Sequence, residues 1–343
     1  MIENSPHRCP AQASSTDVET DAPKTDALAA NGSGADQRPT SRPADLAINQ
    51  PDVALIFEGG GMRNSYTAPM VVELLARNLN FGKVYGISAG SSHTVNYLVR
   101  DPVRARASFV ELVQYPRFGG WGSFLRGTGY FNGPYLYEEL IETAPPDDPM
   151  RFDWNTFRAN PADLHIEAMD WDTGETVAWT KADMVNAHDV GLMVRASSTM
   201  PIFMPPTTVA GRTYVDGGMG DSWGILLNAA RADGFERFCI IRTQPRGYRK
   251  KPMGRGAQAL FRAAFRKHPL VAERTIARWQ PYNQLCDEIE QLEQSGAAWV
   301  FYPDTMEVTN KTTDYQALVK SYETGQAQAQ RDIDSLQEWL ARP

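Results

Sequence analysis

A five-residue apolar run, Val53-Ala-Leu-Ile-Phe57, ends at Glu58 and three successive glycines. A strand without hydrophobic alternation must be covered on both faces, which is the situation of a central strand in a parallel sheet. The glycines permit backbone angles closed to other residues and so allow a sharp turn. Residues 68–79 then read as a helix, with Met70, Val71, Leu74 and Leu75 apolar, and Val84-Tyr85 opens a second strand. Strand, glycine turn, helix and strand make a βαβ unit, for which a right-handed crossover is expected.

The alternation continues along the chain. A helix follows Ser88 to about residue 99, and another is expected over 104–114. Residues 164–169 and 176–179 form a predicted hairpin across Asp170-Trp-Asp-Thr-Gly174. A short helix at 188–197 ends in Ala196-Ser-Ser-Thr-Met-Pro201, small residues expected on the functional face. Strand 212–215, a helix bearing Ile225, Leu226, Leu227 and Ala230, and strand 238–242 follow. The remainder reads as a basic helix over 255–268, a strand over 298–302 and helices from 313. This order predicts a three-layer α/β/α fold with a mostly parallel central sheet and a C-terminal helical extension.

Three segments are expected. Residues 1–49 are rich in Ser, Thr, Pro, Ala and Asp, bury too little apolar surface to offset ordering, and read as a disordered tail. They lack the apolar core and basic start of a secretory signal. Residues 50–245 form the main α/β domain, and 246–343 a basic helical extension packed on it. With 42% hydrophobic residues among 343, a sizeable core is available. A net charge of −7 argues against nucleic acid as a partner. Cys9, Cys239 and Cys286 are few, odd in number and far apart, which excludes a disulfide framework and a cysteine zinc site. His7, His93, His165, His188 and His268 are never four apart, so no helical metal pair is offered. No metal, no cofactor and no membrane span are expected, and the chain reads as cytoplasmic.

Chemistry is concentrated at strand ends, where open α/β sheets place their sites. Gly86-Ile-Ser-Ala-Gly90 follows a short strand and precedes a helix, as a nucleophile elbow requires, with Ser88 at its tip and small residues at Gly86 and Gly90. The turn Gly59-Gly-Gly-Met-Arg63 has two readings. A phosphate cradle calls for Gly-Lys-Ser/Thr or a sixth-position glycine; the chain has no such lysine motif, and the sixth position is Asn64. An oxyanion hole calls for backbone N–H groups at a helix start, which Gly60 and Gly61 supply. The third strand end is Asp216-Gly217-Gly218. A partly buried aspartate is a stronger base than a free one and can take a serine's proton without a histidine. His93 falls off the Ser88 face of its helix and reads as a core or surface histidine. Asp221-Ser222 reads as the N-cap region of the next helix.

Glu58-Gly-Gly-Gly-Met-Arg63, Gly86-Ile-Ser-Ala-Gly90 and Val215-Asp-Gly-Gly218, in that order, resemble the patatin-like phospholipase family over about residues 52–245. The resemblance implies a lipid acyl hydrolase with a Ser–Asp dyad, Ser88 as nucleophile and Asp216 as base. It implies an oxyanion hole over Gly59, Gly60, Gly61, Met62 and Arg63, motif support from Gly86, Gly90, Gly217 and Gly218, and a lipid or other ester substrate. The family usually has glycine where this chain has Asn64, and asparagine is the residue after glycine that best tolerates left-handed backbone. That departure and the extra basic tail motivate a second reading, a weak or inactive family member that binds or regulates. A conventional hydrolase with a distant histidine would have to use His268, which no strand precedes.

Two features lie outside the motifs. Phe118-Gly-Gly-Trp-Gly-Ser-Phe-Leu125 reads either as a flap over an apolar cleft or as an ordinary loop. Residues 246–279 hold ten Lys/Arg and one acid, Glu273, with Ala257, Leu260, Phe261, Ala264 and Phe265 on one helical face. Such a helix fits the anionic inner face of a membrane, or packs its apolar stripe on the domain with its charges solvated. Arg63 reads as a phosphate partner or as a brace for the glycine turn.

Overall fold

The computed structural model describes residues 46–342; the tail expected over 1–49 lies, up to residue 45, outside the described residues. The strands are β1 (Gln50–Phe57), β2 (Phe81–Ile87), β3 (Asp163–Asp170), β4 (Thr176–Thr180), β5 (Thr207–Val209), β6 (Arg212–Asp216), β7 (Arg237–Ile241) and β8 (Ala298–Phe301). They form one sheet in the order β5-β6-β3-β2-β1-β7-β8, with β4 also paired to β3. The run β3-β2-β1-β7-β8 is parallel, and β4, β5 and β6 are antiparallel. The longer helices are α1 (Asn64–Ala76), α2 (Ala89–Leu98), α3 (Ala187–Ser198), α4 (Arg255–Ala264), α5 (Pro269–Ala277), α6 (Trp279–Gln294) and α7 (Tyr315–Leu340).

The apolar run of β1 is buried throughout, and its alternate residues serve different layers. Leu55 and Phe57 join Met70 and Leu74 of α1, Leu98 of α2, and Ile333 and Leu336 of α7. Ala54 and Ile56 point the other way, to Leu226, Leu227, and Tyr282 and Ile289 of α6. A strand with helices on both faces has no solvent side, so an unbroken apolar run is what the position requires. The protein is thus a mixed α/β fold with a mostly parallel central sheet and a helical C-terminal region, and β8 adds that region to the sheet beside β7.

Register on β3 positions the site. Glu167 pairs with Ala178 of β4 on one edge and with Ile87, the last residue of β2, on the other. The next residue, Ala168, pairs with Val177 of β4 and with Asp216 of β6. Because β4 holds one edge throughout, β6 takes the edge that β2 vacates when it turns at Ser88. The antiparallel strand therefore delivers Asp216 to the carboxyl end of β2.

Some boundaries differ from those read in the sequence. The helix expected over 104–114 is Pro102–Ala107 followed by a short 3-10 turn, Glu111–Gln114. The basic helix stops at Ala264, and α5 starts afresh with Pro269 at its first turn, where a missing N–H costs nothing. The C-terminal helices are the single α7. Asp221 is not a cap: it accepts from Arg274 Nη1 at 2.8 Å and from Thr176 Oγ1 at 3.0 Å, while the following helix begins at Leu227.

Candidate active site

Ser88 links β2 to α2 with φ 54 and ψ −131, a left-handed-side backbone that serine rarely adopts. Strain of this kind costs about 1–3 kcal/mol and persists only where the surroundings enforce it. Here a Cβ on Gly86 would overlap the carbonyl of Gly90, and one on Gly90 would overlap the carbonyl of Phe57. The two glycines let β1, β2 and α2 close on each other and leave the serine at the tip. Its N–H donates to Ser197 Oγ of α3 at 3.0 Å.

Ser88 Oγ donates to Asp216 Oδ2 at 2.6 Å. Asp216 is 7% exposed, and its Oδ1 accepts from the Gly218 N–H at 2.7 Å. Its own N–H donates to Thr199 O at 2.8 Å, so the end of α3 braces both members of the pair. Gly217 is needed for close packing, because a Cβ there would overlap the Glu167 carbonyl. Burial holds the Asp216 carboxyl above its ordinary value. The Arg278 guanidinium, the Ser88 hydroxyl, the Gly218 N–H and the Lys250 ammonium pull it the other way. The balance leaves a carboxyl with more proton affinity than a free one.

His93 and His268 are otherwise engaged. His93 is fully buried between Phe57 and Phe109, with Nε2 at 3.0 Å from Thr67 Oγ1. Burial pushes its ring down to about 3, so it is neutral at ordinary pH. His268 packs against Trp171, with Nδ1 at 3.0 Å from Asp172 Oδ1.

In the glycine turn the left-handed residue is Gly61, φ 55, whose Cβ would overlap the Asn310 carbonyl. Asn64 has φ −67 in the right-handed region. The left-handed backbone that asparagine would tolerate is not used at Asn64; the reversal falls at Gly61, three residues earlier. Its buried amide instead closes the turn, Nδ2 donating to Gly61 O at 3.0 Å. The N–H groups of Gly59, Met62 and Arg63 donate to Gly224 O, Asn310 O and Gly60 O. Those of Gly60 and Gly61 have no acceptor among the described residues. Beneath the turn, buried Glu58 accepts from Arg242 Nε at 2.9 Å, the Thr243 N–H at 2.7 Å and Tyr282 OH at 2.5 Å. Burial alone would raise the Glu58 carboxyl, but Arg242, Lys250 and these hydrogen bonds hold it below its ordinary value.

Ser88 and Gly61 border a cavity walled by Met62, Val95, Phe109, Leu136, Val194 and Met204, among other residues. Phe118 and Phe131 close one side, and the adjoining Gly119–Phe131 bridge carries the aromatic segment. Trp121 and Leu125 of that segment project into solvent. The site thus offers a hydroxyl on a carboxylate, two free N–H groups at a helix start, and an apolar chamber beside them.

Residues 55–227, half of the chain, match the family of patatin-like phospholipases. The chain belongs to that family. Residues 268–341 match a second family, described as a domain of unknown function (DUF6363). A curated relative, the uncharacterized protein YjjU of Escherichia coli (strain K12), is 25% identical over 215 residues, covering 59% of this chain and 55% of its own. The chain thus spans about half the length of that relative. Among solved structures, VipD from Legionella pneumophila superposes with a TM-score of 0.46 at 13% identity, covering 83% of this chain and 67% of the other.

Two residues at this patatin-like site were not singled out by the sequence, Lys250 and Arg278. They were counted only as part of the basic stretch 246–279. Within that stretch Arg246 pairs with Glu293, Arg249 with Asp287 and Glu290, Arg262 with Glu273, and Arg274 with Asp221. Lys250 and Arg278 turn inward to Glu58 and Asp216 instead. Phe261 and Phe265 pack beside Trp171, whereas Leu260 is 72% exposed. Among the described residues no helix is long and apolar enough to cross a membrane, and no group of side chains suits a metal ion.

Proposed function

We propose that the chain is a serine acyl hydrolase that cleaves carboxylic esters of lipids through an acyl-enzyme on Ser88. The observation that carries this reading is the 2.6 Å hydrogen bond from Ser88 Oγ to a buried carboxylate, Asp216. Ser88 Oγ attacks the ester carbonyl carbon while its proton passes to Asp216 Oδ2. The Gly60 and Gly61 N–H groups donate to the oxyanion that forms, with the N-terminus of α1 behind them. On collapse the carbon–oxygen bond to the leaving alcohol breaks, and Asp216 returns the proton to that oxygen. A water then gives its proton to Asp216, attacks the acyl carbon and releases the acid, and Ser88 recovers its hydrogen. The apolar cavity takes the acyl chain.

In this assignment residues 50–245 carry the chemistry, and 246–343 supply β8 and the cations behind the site. The non-catalytic reading drew on Asn64 and the basic tail; the right-handed φ of −67 at Asn64 supports the catalytic reading. Exposed Leu260 with Arg255, Arg266 and Lys267 supports peripheral contact with an anionic lipid surface. Flotation on anionic against neutral vesicles tests it, and equal binding overturns it. For the hydrolase itself, hydrolysis of p-nitrophenyl acyl esters should fall at least about 1,000-fold in Ser88→Ala and in Asp216→Asn. Undiminished turnover in either variant removes the dyad.

A further inference from the structure

We propose that the C-terminal region, residues 268–341, serves the reaction by holding the oxyanion turn, and that Asn310 is the positioning residue through which it does so. The proposal rests on the acyl-hydrolase reading. Three successive glycines leave Gly59–Gly61 with wide conformational freedom, yet backbone donors aid an oxyanion only when they are fixed beforehand. Upstream the turn is tied at Gly59, whose N–H donates to Gly224 O at 3.2 Å and whose carbonyl accepts from Thr243 Oγ1 at 2.9 Å. Downstream the tie is Asn310 O, which accepts from the Met62 N–H at 3.2 Å. The same carbonyl fills the space that a Cβ on Gly61 would need. It therefore packs on the left-handed residue and fixes the peptide that follows it. The Gly60 and Gly61 N–H groups lie between these two ties, without an acceptor among the described residues.

Asn310 sits on a strap, residues 302–314, that joins β8 to α7. Threonines close the turn at its tip: the Thr309 N–H donates to Thr312 Oγ1 at 2.9 Å, and the Lys311 N–H to Thr309 Oγ1 at 3.3 Å. The two hydroxyls lie 3.0 Å apart. From this tip Asn310 Nδ2 donates to Met200 Sδ at 3.7 Å, and Lys311 Nζ stands 4.3 Å from the centre of the Phe203 ring. Met200 lines the apolar cavity, so Asn310 links the oxyanion turn to the cavity wall. Val308 and Leu318 join the same apolar cluster as Met62. The root of the strap is anchored on α1, the helix that the turn leads into. Gln328 of α7 donates to Tyr302 O at 2.8 Å, and its Oε1 accepts from the Asp304 N–H at 2.9 Å and from Tyr66 OH of α1 at 2.7 Å. Ser65 Oγ donates to Ser321 Oγ at 2.8 Å, and a Cβ on Gly325 would overlap the Tyr66 carbonyl. α1 and α7 thus cross in close contact, and the strap carries its tip to a fixed point against Gly61.

The double variant Thr309→Ala/Thr312→Ala loosens the tip without touching the dyad, the free N–H groups or the cavity wall. Hydrogen exchange at the Met62 amide should quicken about 10-fold or more in this variant. Its kcat for p-nitrophenyl acyl esters should fall about 10-fold with KM within about 2-fold of the parent, since the oxyanion exists only in the transition state. A trifluoromethyl ketone, whose adduct on Ser88 places an oxyanion against the same donors, should bind more weakly by the same factor. Thr309→Ser/Thr312→Ser keeps both hydroxyls and should restore all three readouts. Asn310→Gly, which frees the tip backbone and removes the Met200 contact, should shift them as the alanine pair does. Melting curves show that each variant is folded. Retained Met62 protection in the folded alanine pair, quicker exchange with unchanged kcat, or a rise in KM alone overturns the proposal. If the parent hydrolyses no ester, the hydrolase reading falls, and exchange at Met62 decides whether the strap holds the turn.

Discussion

Replacing Glu58 by glutamine should destabilise the protein far more than its small change in shape suggests. Glu58 and Arg242 are each 2% exposed, and Nε approaches Oε2 to 2.9 Å. Glutamine keeps one acceptor oxygen but presents an NH2 group to a set of donors, Arg242 Nε, the Thr243 N–H and Tyr282 OH. It also leaves the Arg242 guanidinium buried without a counter-charge. Removing one partner of a buried pair costs about 3–5 kcal/mol, whereas replacing both by apolar residues is often neutral. Equilibrium urea unfolding at pH 7 should therefore show a loss of about 3–5 kcal/mol in Glu58→Gln. The double variant Glu58→Leu/Arg242→Met should lose less than the single one. The sign with pH follows from the lowered Glu58 carboxyl. Its stabilisation is complete above the unfolded value of about 4.3 and disappears as pH falls through the lower folded value, and Glu58→Gln lacks that component. A loss under about 1 kcal/mol, or a double variant as unstable as the two losses added, refutes the reasoning.

Three further outcomes follow from the site. The acid limb of kcat/KM should lie above the ordinary aspartate value of about 3.9, because Asp216 must be deprotonated and burial raises it. Arg278→Gln removes a cation that lowers it and should move the limb to higher pH; a downward shift in the pH–rate profile contradicts this. Gly61→Ala requires both φ 55 and space held by Asn310, and should reduce kcat by about 100-fold or more through the displaced N–H; an unchanged kcat excludes Gly61 as a donor. His93→Gln should keep kcat within about 10-fold of the parent, where loss of a triad histidine costs about 10,000-fold or more.

Fold class was legible because β1 contains the unbroken apolar run Val53–Phe57 and each glycine-rich motif follows a strand. The order of Gly59–Arg63, Ser88 and Asp216 was legible for the same reason. What local pattern does not carry is that β6 runs antiparallel and takes the β3 edge beyond Ile87, and this register brings Asp216 to Ser88. A glycine-like position in a motif does not reveal which residue turns left-handed; it is Gly61, and Asn64 is right-handed. Lys250 and Arg278 vanished into a basic stretch because sequence counts charges without their partners. Four arginines of that stretch find carboxylates on other elements, and these two do not.

Labelling with a fluorophosphonate ester, followed by peptide mapping, tests the central claim most directly. One equivalent of probe should be taken up on the peptide containing Gly86-Ile-Ser-Ala-Gly90, with none in Ser88→Ala and strongly slowed uptake in Asp216→Asn. Equal labelling of the parent and Ser88→Ala, or an adduct on any other residue, contradicts it.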